Sequence, residues 1–387
     1  MTGPLKQLKI LDFSTLLPGP YATMLLADMG ADVIRIESPD RSDMLKETPP
    51  KFKDCSYAHY TINRNKRSLA LDLKENQAKE VIFKLIQDYD ILVEQFRPGV
   101  MKKLGLDFEA LSKINPKLIY CSITGYGQTG DLKNRAGHDI NFLALSGLAS
   151  YSGKKESGPS LSATQIADLA GGSHHAVMSI LAADISRRST GVGQHLDISI
   201  RDAAFSLNTM FGAAALATGD DPQPEDQILN GGSYYDYYET NDARYMSVGA
   251  LEPKFAKIFF DTIGHPEWLT KAFQPNEQKK LKIAIAKIIK AQSFQHWNDL
   301  FKKVDACVEP VLSITEAAEL SPFKERDMIL EIELDEKNKV KQIGSALKFS
   351  ENRRDFFIGK KLGEDSLEIL QKLEYSESQI KEIIRGS

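Results

Sequence analysis

Short apolar runs alternate with helix-like stretches through the first third of the chain, and this alternation constrains the fold more than any other feature. "LKILDFS" (8–14), "ADVIRIE" (31–37), "SLALDLK" (68–74), "ILVEQF" (91–96) and "KLIYCSIT" (117–124) read as buried strands. Between them, "PGPYATMLLADMG" (18–30), "ENQAKEVIFKLIQDYD" (75–90) and "DFEALSKINP" (107–116) read as helices, the first with proline near its start and Gly30 at its end. Short strands separated by helices predict an α/β fold with a parallel sheet and helices on both faces. A sheet of this kind binds ligands in the crevice beyond the carboxyl ends of its strands.

Further along, "RAGHDINFLALSG" (135–147) turns helical at about residue 138, and a long helix is expected over 165–188 with Gly191 as its stop. A strand (194–200) and a helix (201–219) follow. The texture changes at "DDPQPEDQILNGGS" (220–233), which is rich in turn formers. Beyond it lie a strand pair joined at Asn241-Asp242 and helices near 253–263, 276–291 and 293–304. The pattern predicts a large domain over 1–219, a smaller α+β domain over 220–307 and a C-terminal segment over 308–387.

Composition removes several function classes. The formal net charge of -4 argues against a nucleic-acid binder, although it leaves room for a local basic pocket. The three cysteines are odd in number and far apart, which fits a reducing, cytoplasmic setting better than a disulfide framework. No apolar run reaches bilayer-spanning length, and the N-terminal stretch does not read as a signal peptide, so no membrane association is expected.

Several motifs bear on chemistry. "GYGQTG" (125–130) matches a dinucleotide pattern, but no apolar helix starts at once and no acidic strand end follows about twenty positions on. A glycine-rich turn near a phosphate-bearing ligand fits it better. His174 and His175 point to different faces of one helix, the cysteines form no C-x-x-C pair, and no metal site is expected. Arg35, Arg64, Lys66, Arg67, Lys74 and Arg97 fall at or near strand ends. They are either solvated charges or, together, a binding edge for a polyphosphate. His138-Asp139, Asp168 and Glu252 each lie beside apolar sequence. Asp139 suits a helix cap and Glu252 a first-turn acid. Asp168, flanked by Ile166, Ala167, Leu169 and Ala170, is a carboxyl whose surroundings favour a raised pKa. The residues alone leave structural and catalytic roles both open.

"LLPGPYATMLLADMGADVIRIESP", "NRNKRSLALDLK", "EQFRPGVMKKLGLDFEAL", "NPKLIYCSITGYGQTG" and "AGHDINFLALSG" together resemble, in this order, the family III coenzyme A transferase superfamily. "DLAGGSHHAVMSILAAD", "STGVGQHLDISI", "YYETNDARYMSVGALEPKF" and "DACVEPVL" extend the resemblance over nearly the whole chain. Within the superfamily, "GHDINFLALSG" and "GALEPKF" are most similar to the α-methylacyl-CoA racemase branch. The transferase branch has a run of glycines in its small domain, where this chain has only "LNGGSYYDYYET".

The resemblance implies a Rossmann-like large domain completed by the C-terminal segment, a small domain, and an interlocked homodimer. It implies an acyl-CoA substrate and no separate cofactor, coenzyme A being part of the substrate. His138, assisted by Glu252, would be one base and Asp168 the opposing acid or base. Gly137, His138, Asp139, Ile140, Asn141 and Phe142 would line the thioester. Leu71, Asp72, Leu73, Lys74 and Arg97 would contact coenzyme A, with Arg35 on the same basic edge. Three departures stand out: Ser38 where the family often has arginine, Asp242-Ala243 in place of an Asp-Gly turn, and Asp365 where histidine is common.

The implied reaction inverts the α-carbon of a 2-methylacyl-CoA through an enolate. It needs two groups on opposite faces in opposite protonation states. Histidine titrates near neutrality and a partly desolvated aspartate can start protonated. Glu252 would orient the imidazolium, and the Asp139 N–H is the candidate oxyanion donor. The alternative is a CoA-transferase in which Asp168 attacks the thioester and carries a covalent intermediate.

Overall fold

The computed structural model describes residues 3–350 and 356–385. The chain divides into two units, one of Met1–Ser146, Ala163–Leu207 and Pro322–Ser387 and the other of Gly147–Ser162 and Asn208–Ser321. In the larger unit, β1 (Lys9–Asp12), β2 (Asp32–Glu37), β3 (Lys66–Ala70), β4 (Ile91–Glu94), β5 (Ile119–Thr124) and β6 (His195–Ser199) form one sheet in the order β3-β2-β1-β4-β5-β6. Every neighbouring pair is parallel. All residues of β5 are buried, as a strand covered on both faces requires. The order reverses between β1 and β4, so the loops leaving these strands diverge and open a crevice. Across it the Gly19 N–H donates to Gln95 Oε1 at 2.9 Å.

Helix α1 (Pro18–Asp28) follows β1 and helix α2 (Asn76–Leu85) follows β3. Val81, Ile82 and Leu85 on α2 pack with Leu11, Ile34, Leu69 and Leu92 from the sheet. Helices Ser366–Lys372 and Glu377–Arg385 add Ile369, Leu370, Ile380 and Ile383 to the same core. The C-terminal segment also caps the outer edge of β3. Asp365 N donates to the Ser68 carbonyl at 3.1 Å, and its Oδ2 accepts from Ser68 N at 2.8 Å. Ser366 Oγ accepts from Ala70 N at 3.1 Å. An exposed edge strand templates unwanted pairing, and here Asp365 supplies both the donor and the acceptor that close it.

The expected long helix over 165–188 is two elements. Ala167–Ser173 is a π-helical turn, and α4 (His174–Thr190) continues from it to Gly191 at φ 74°. The glycine pair explains the wide turn. A Cβ on Gly172 would stand 3.0 Å from Ile200 Cγ1, and one on Gly171 would stand 3.3 Å from the Ile200 carbonyl. The backbone therefore lies directly against helix α5 (Ile200–Ser206).

The smaller unit has a three-stranded antiparallel sheet with β8 (Tyr245–Val248) between β7 (Asp236–Glu239) and β9 (Val308–Pro310). Its core gathers Phe259, Phe260, Ile285 and Trp297. The boundaries expected at 219/220 and 307/308 need correction. Residues 147–162 and helix α6 (Thr209–Thr218) belong here, because Tyr151 Oη donates to Asn208 at 2.9 Å and its ring meets Phe211 edge-on at 5.9 Å. Residues 308–321 belong here too, since β9 completes the small sheet. At the hairpin turn Ala243 adopts φ 60°, the left-handed conformation a glycine takes without cost.

Candidate active site

Of the residues singled out in the larger unit, 71–74, Arg97 and 137–142 follow the carboxyl ends of β3, β4 and β5 along the chain. Leu71, Asp72, Leu73 and Lys74 form the turn leaving β3: Leu71 is buried, Asp72 Oδ1 accepts from Lys74 N at 3.0 Å, and Lys74 is exposed. Beside them lies a cavity of about 270 Å³ lined by Pro39, Ala70, Gly363, Ser366 and Leu367. Arg97 lies exposed three residues beyond the end of β4, at the crevice where the strand order reverses.

The rest of the proposed basic edge is not available to a ligand. Arg35 is 3% exposed; it pairs with Asp43 at 2.7 Å and Glu37 at 3.0 Å and lies 2.7 Å from His59 Nε2. Arg64 is buried on Asp28, Lys66 on Asp12, and Arg67 is held by Asp32. Alternation along a strand tells which face a side chain takes but not which charge meets it there. Arg35 is therefore a structural charge, and of the six basic residues Lys74 and Arg97 keep free heads among the described residues.

The loop after β5 carries the central group. A Cβ on Gly137 would fall 2.7 Å from both the Phe142 ring and the Tyr126 hydroxyl, and one on Gly125 would fall 2.5 Å from Phe142. Two glycines thus let the loop close on Phe142, which is buried edge-on to Tyr126 at 5.3 Å. Helix α3 (Asp139–Leu145) starts on this platform with His138 as its N-cap residue. The His138 N–H donates to Asn141 Oδ1 at 3.0 Å, which fixes the first turn while the imidazole stays exposed. Ile140 and Asn141 are also exposed.

Asp168 meets this helix start from the π-helical turn. Its N–H donates to Asp139 Oδ1 at 3.0 Å, so α3 and the turn are joined by one side chain. The Ser173 hydroxyl braces the turn, reaching the Asp168 carbonyl at 3.1 Å and the Pro18 carbonyl at 2.6 Å. Burial, with the Asp139 charge beside it, pushes the Asp168 carboxyl up to about 7. A carboxyl in this condition can hold or release a proton at neutral pH. Glu252 lies in the smaller unit, exposed at the N-cap of α7 (Pro253–Thr262). That unit has a cavity of about 430 Å³ lined by Tyr151, Tyr235, Tyr237, Val248, Gly249 and Cys307.

One titratable residue escaped the sequence analysis. Glu94, at the carboxyl end of β4, is 4% exposed and burial pushes it up to about 7. Its Oε2 accepts from Phe96 N at 2.8 Å, and the Ser122 hydroxyl bonds it. The signal is present in the sequence, where a lone acid follows the apolar residues Ile91, Leu92 and Val93.

A family model described as CoA-transferase family III matches residues 5–365. The chain belongs to this family. The alpha-methylacyl-CoA racemase of Homo sapiens is 32% identical over 387 residues, covering 98% of this chain and 96% of that protein. The acetyl-CoA:oxalate CoA-transferase of Acetobacter aceti is 33% identical over 338 residues, covering 85% and 86%. Among solved structures, a CAIB/BAIF family protein from Brucella suis superposes with TM-score 0.83 at 25% identity, covering 96% of this chain and 100% of that one. The fold and the family are thereby fixed, and the chain is an enzyme of the family III transferase and racemase group. Racemase and transferase relatives stand at nearly equal identity, so the particular reaction has to be argued from the site. No helix among the described residues is long and apolar enough to cross a membrane.

Proposed function

We propose that this family III enzyme is a racemase that inverts the α-carbon of 2-methylacyl-CoA thioesters. The observation that carries the reading is the junction of α3 with the π-helical turn. It brings an exposed histidine on a helix start together with a carboxyl whose pKa is pushed up to about 7. In one direction neutral His138 takes the α-proton while protonated Asp168 delivers one to the opposite face, and the return reaction exchanges these roles. The Asp139 N–H, in the first turn of α3, is the donor proposed for the enolate oxygen, and one such donor contributes about 3–4 kcal/mol.

Coenzyme A is bound as part of the substrate by Leu71, Asp72, Leu73, Lys74 and Arg97. The thioester itself acidifies the α-proton, so the reading needs no added cofactor. A transferase would instead use ionised Asp168 as a nucleophile toward the thioester carbonyl.

A homodimer is part of the proposal. Helix α6 buries none of its residues and leaves Met210 65% and Leu216 79% exposed, an apolar surface that a second copy would cover. Light scattering should give twice the chain mass.

The deciding experiment is incubation of 2-methylacyl-CoA with the enzyme in D₂O. Deuterium should enter the α-carbon, and His138→Ala should suppress that exchange at least a hundredfold. No exchange, together with CoA transfer to an acceptor acid and a hydroxylamine-trapped adduct at Asp168, would establish the transferase reaction instead.

A further inference from the structure

Asp139 carries two functional groups, and the reaction above uses only its backbone N–H. Its side chain points away from a conventional capping role: Oδ1 accepts from the N–H of Asp168, 29 residues further along the chain. We infer that Asp139 is a positioning residue for Asp168, its carboxylate clamping the Asp168 main chain while holding a negative charge beside the Asp168 carboxyl. The inference rests on the racemase reading for its meaning in turnover, but the clamp itself is geometric.

Three observations support it. First, Asp139 is the residue after His138, so one side chain ties the helix start bearing one base to the turn bearing the other. A shift of about 1 Å in such a pair can cost on the order of a hundredfold in rate. Second, the turn needs external anchoring. It is π-helical, contains Gly171 and Gly172, and is braced by the Ser173 hydroxyl at one end and by Asp139 at the other.

Third, among the described residues Asp139 is the charged neighbour identified at this carboxyl. The elements packed on the turn are α1, α3, α4, α5 and β5. On α1, Asp28 is taken by Arg64 and burial keeps Tyr21 protonated. On α4, His175 Nδ1 donates to the Ala170 carbonyl at 3.0 Å and His174 stands 6.0 Å from the Tyr21 ring; Asp184 with Arg187 and Arg188 forms an ion cluster further along that helix. On α5, Arg201 and Asp202 pair with each other, and on β5 burial keeps Tyr120 and Cys121 protonated. The Asp139 charge acts together with burial to raise the Asp168 carboxyl.

Two variants separate the clamp from the charge. Asp139→Asn keeps an amide oxygen to accept from Asp168 N and removes the charge, whereas Asp139→Ala removes both. The Asp168 carboxyl is followed by ¹³C NMR titration of the substrate-free enzyme and assigned by its disappearance in Asp168→Asn. In Asp139→Asn its midpoint should fall by about one pH unit, a tenfold loss of proton affinity. The basic limb of the exchange rate should move down with it. In Asp139→Ala kcat should fall at least tenfold further than in Asp139→Asn, with KM little changed. An Asp168 midpoint unmoved in Asp139→Asn, or an Asp139→Ala enzyme as fast as Asp139→Asn, overturns the inference. The titration needs no turnover. A wild-type enzyme that fails to exchange the α-proton while Asp168 still shifts refutes the racemase reading and leaves the clamp standing.

Discussion

Glu94→Gln should stabilise the larger unit, and by an amount that depends on pH. A glutamate ordinarily titrates near 4.5, and burial at the end of β4 pushes Glu94 up to about 7 against the opposing bonds from Ser122 and Phe96 N. Between these values the folded chain keeps a proton that the unfolded chain has released. Stability therefore falls as pH rises through this window, and the full cost is present above about 7. The gap, at about 1.4 kcal/mol per pH unit, amounts to roughly 3 kcal/mol. Glutamine keeps an acceptor for Phe96 N and cannot ionise, so the variant's advantage over wild type should grow by roughly 3 kcal/mol from pH 4.5 to pH 8. Tryptophan fluorescence would miss this, because Trp268 and Trp297 both lie in the smaller unit. Hydrogen exchange at the Leu92 and Val93 amides reports on the right sheet, and intrinsic exchange rates cancel when the two proteins are compared at each pH. An advantage that stays constant across the range would show that Glu94 ionises as easily as an exposed glutamate.

Two further predictions rest on charge and on edge closure. Arg97→Ala should raise KM for an acyl-CoA about tenfold or more and leave the melting temperature unchanged. Arg35→Ala should do the reverse, because it removes the cation paired with buried Asp43 and leaves Glu37 to Lys46 alone, at a cost of about 3–5 kcal/mol; thermal unfolding and initial-rate kinetics distinguish the two. Asp365→Ala leaves Ser68 N without its acceptor and should cost about 1–3 kcal/mol, read as faster exchange of the Ser68 amide while core amides of β5 stay protected.

The strands were legible where burial on both faces forced an unbroken apolar run, as in "KLIYCSIT", and helices where a glycine or proline punctuated an apolar period. Strand order was not, because pairing between β1 and β4 joins residues separated by about eighty positions and leaves no local mark. The unit boundaries were missed for the same reason: Tyr151 is recruited to the smaller unit by Asn208 and Phe211, contacts that local sequence does not announce. Arg35 was misread because a strand pattern carries no information on charge partners. His138 and Asp168 stood out through family resemblance, yet the Asp139 bond that joins their elements spans 29 residues and shows itself only in the fold.

The capped edge of β3 has a consequence for how the chain is made. Ser366 meets Ala70 from 296 positions further along the chain, so the edge of the first sheet stays open until residue 366 has been synthesised. At roughly 5–20 residues per second that interval lasts about 15–60 s. Through it the smaller unit, whose residues all precede 322, can complete its own core, while the larger one waits with a naked strand for Asp365 and Ser366. Truncation near the C-terminus should therefore harm the part of the protein that was translated first.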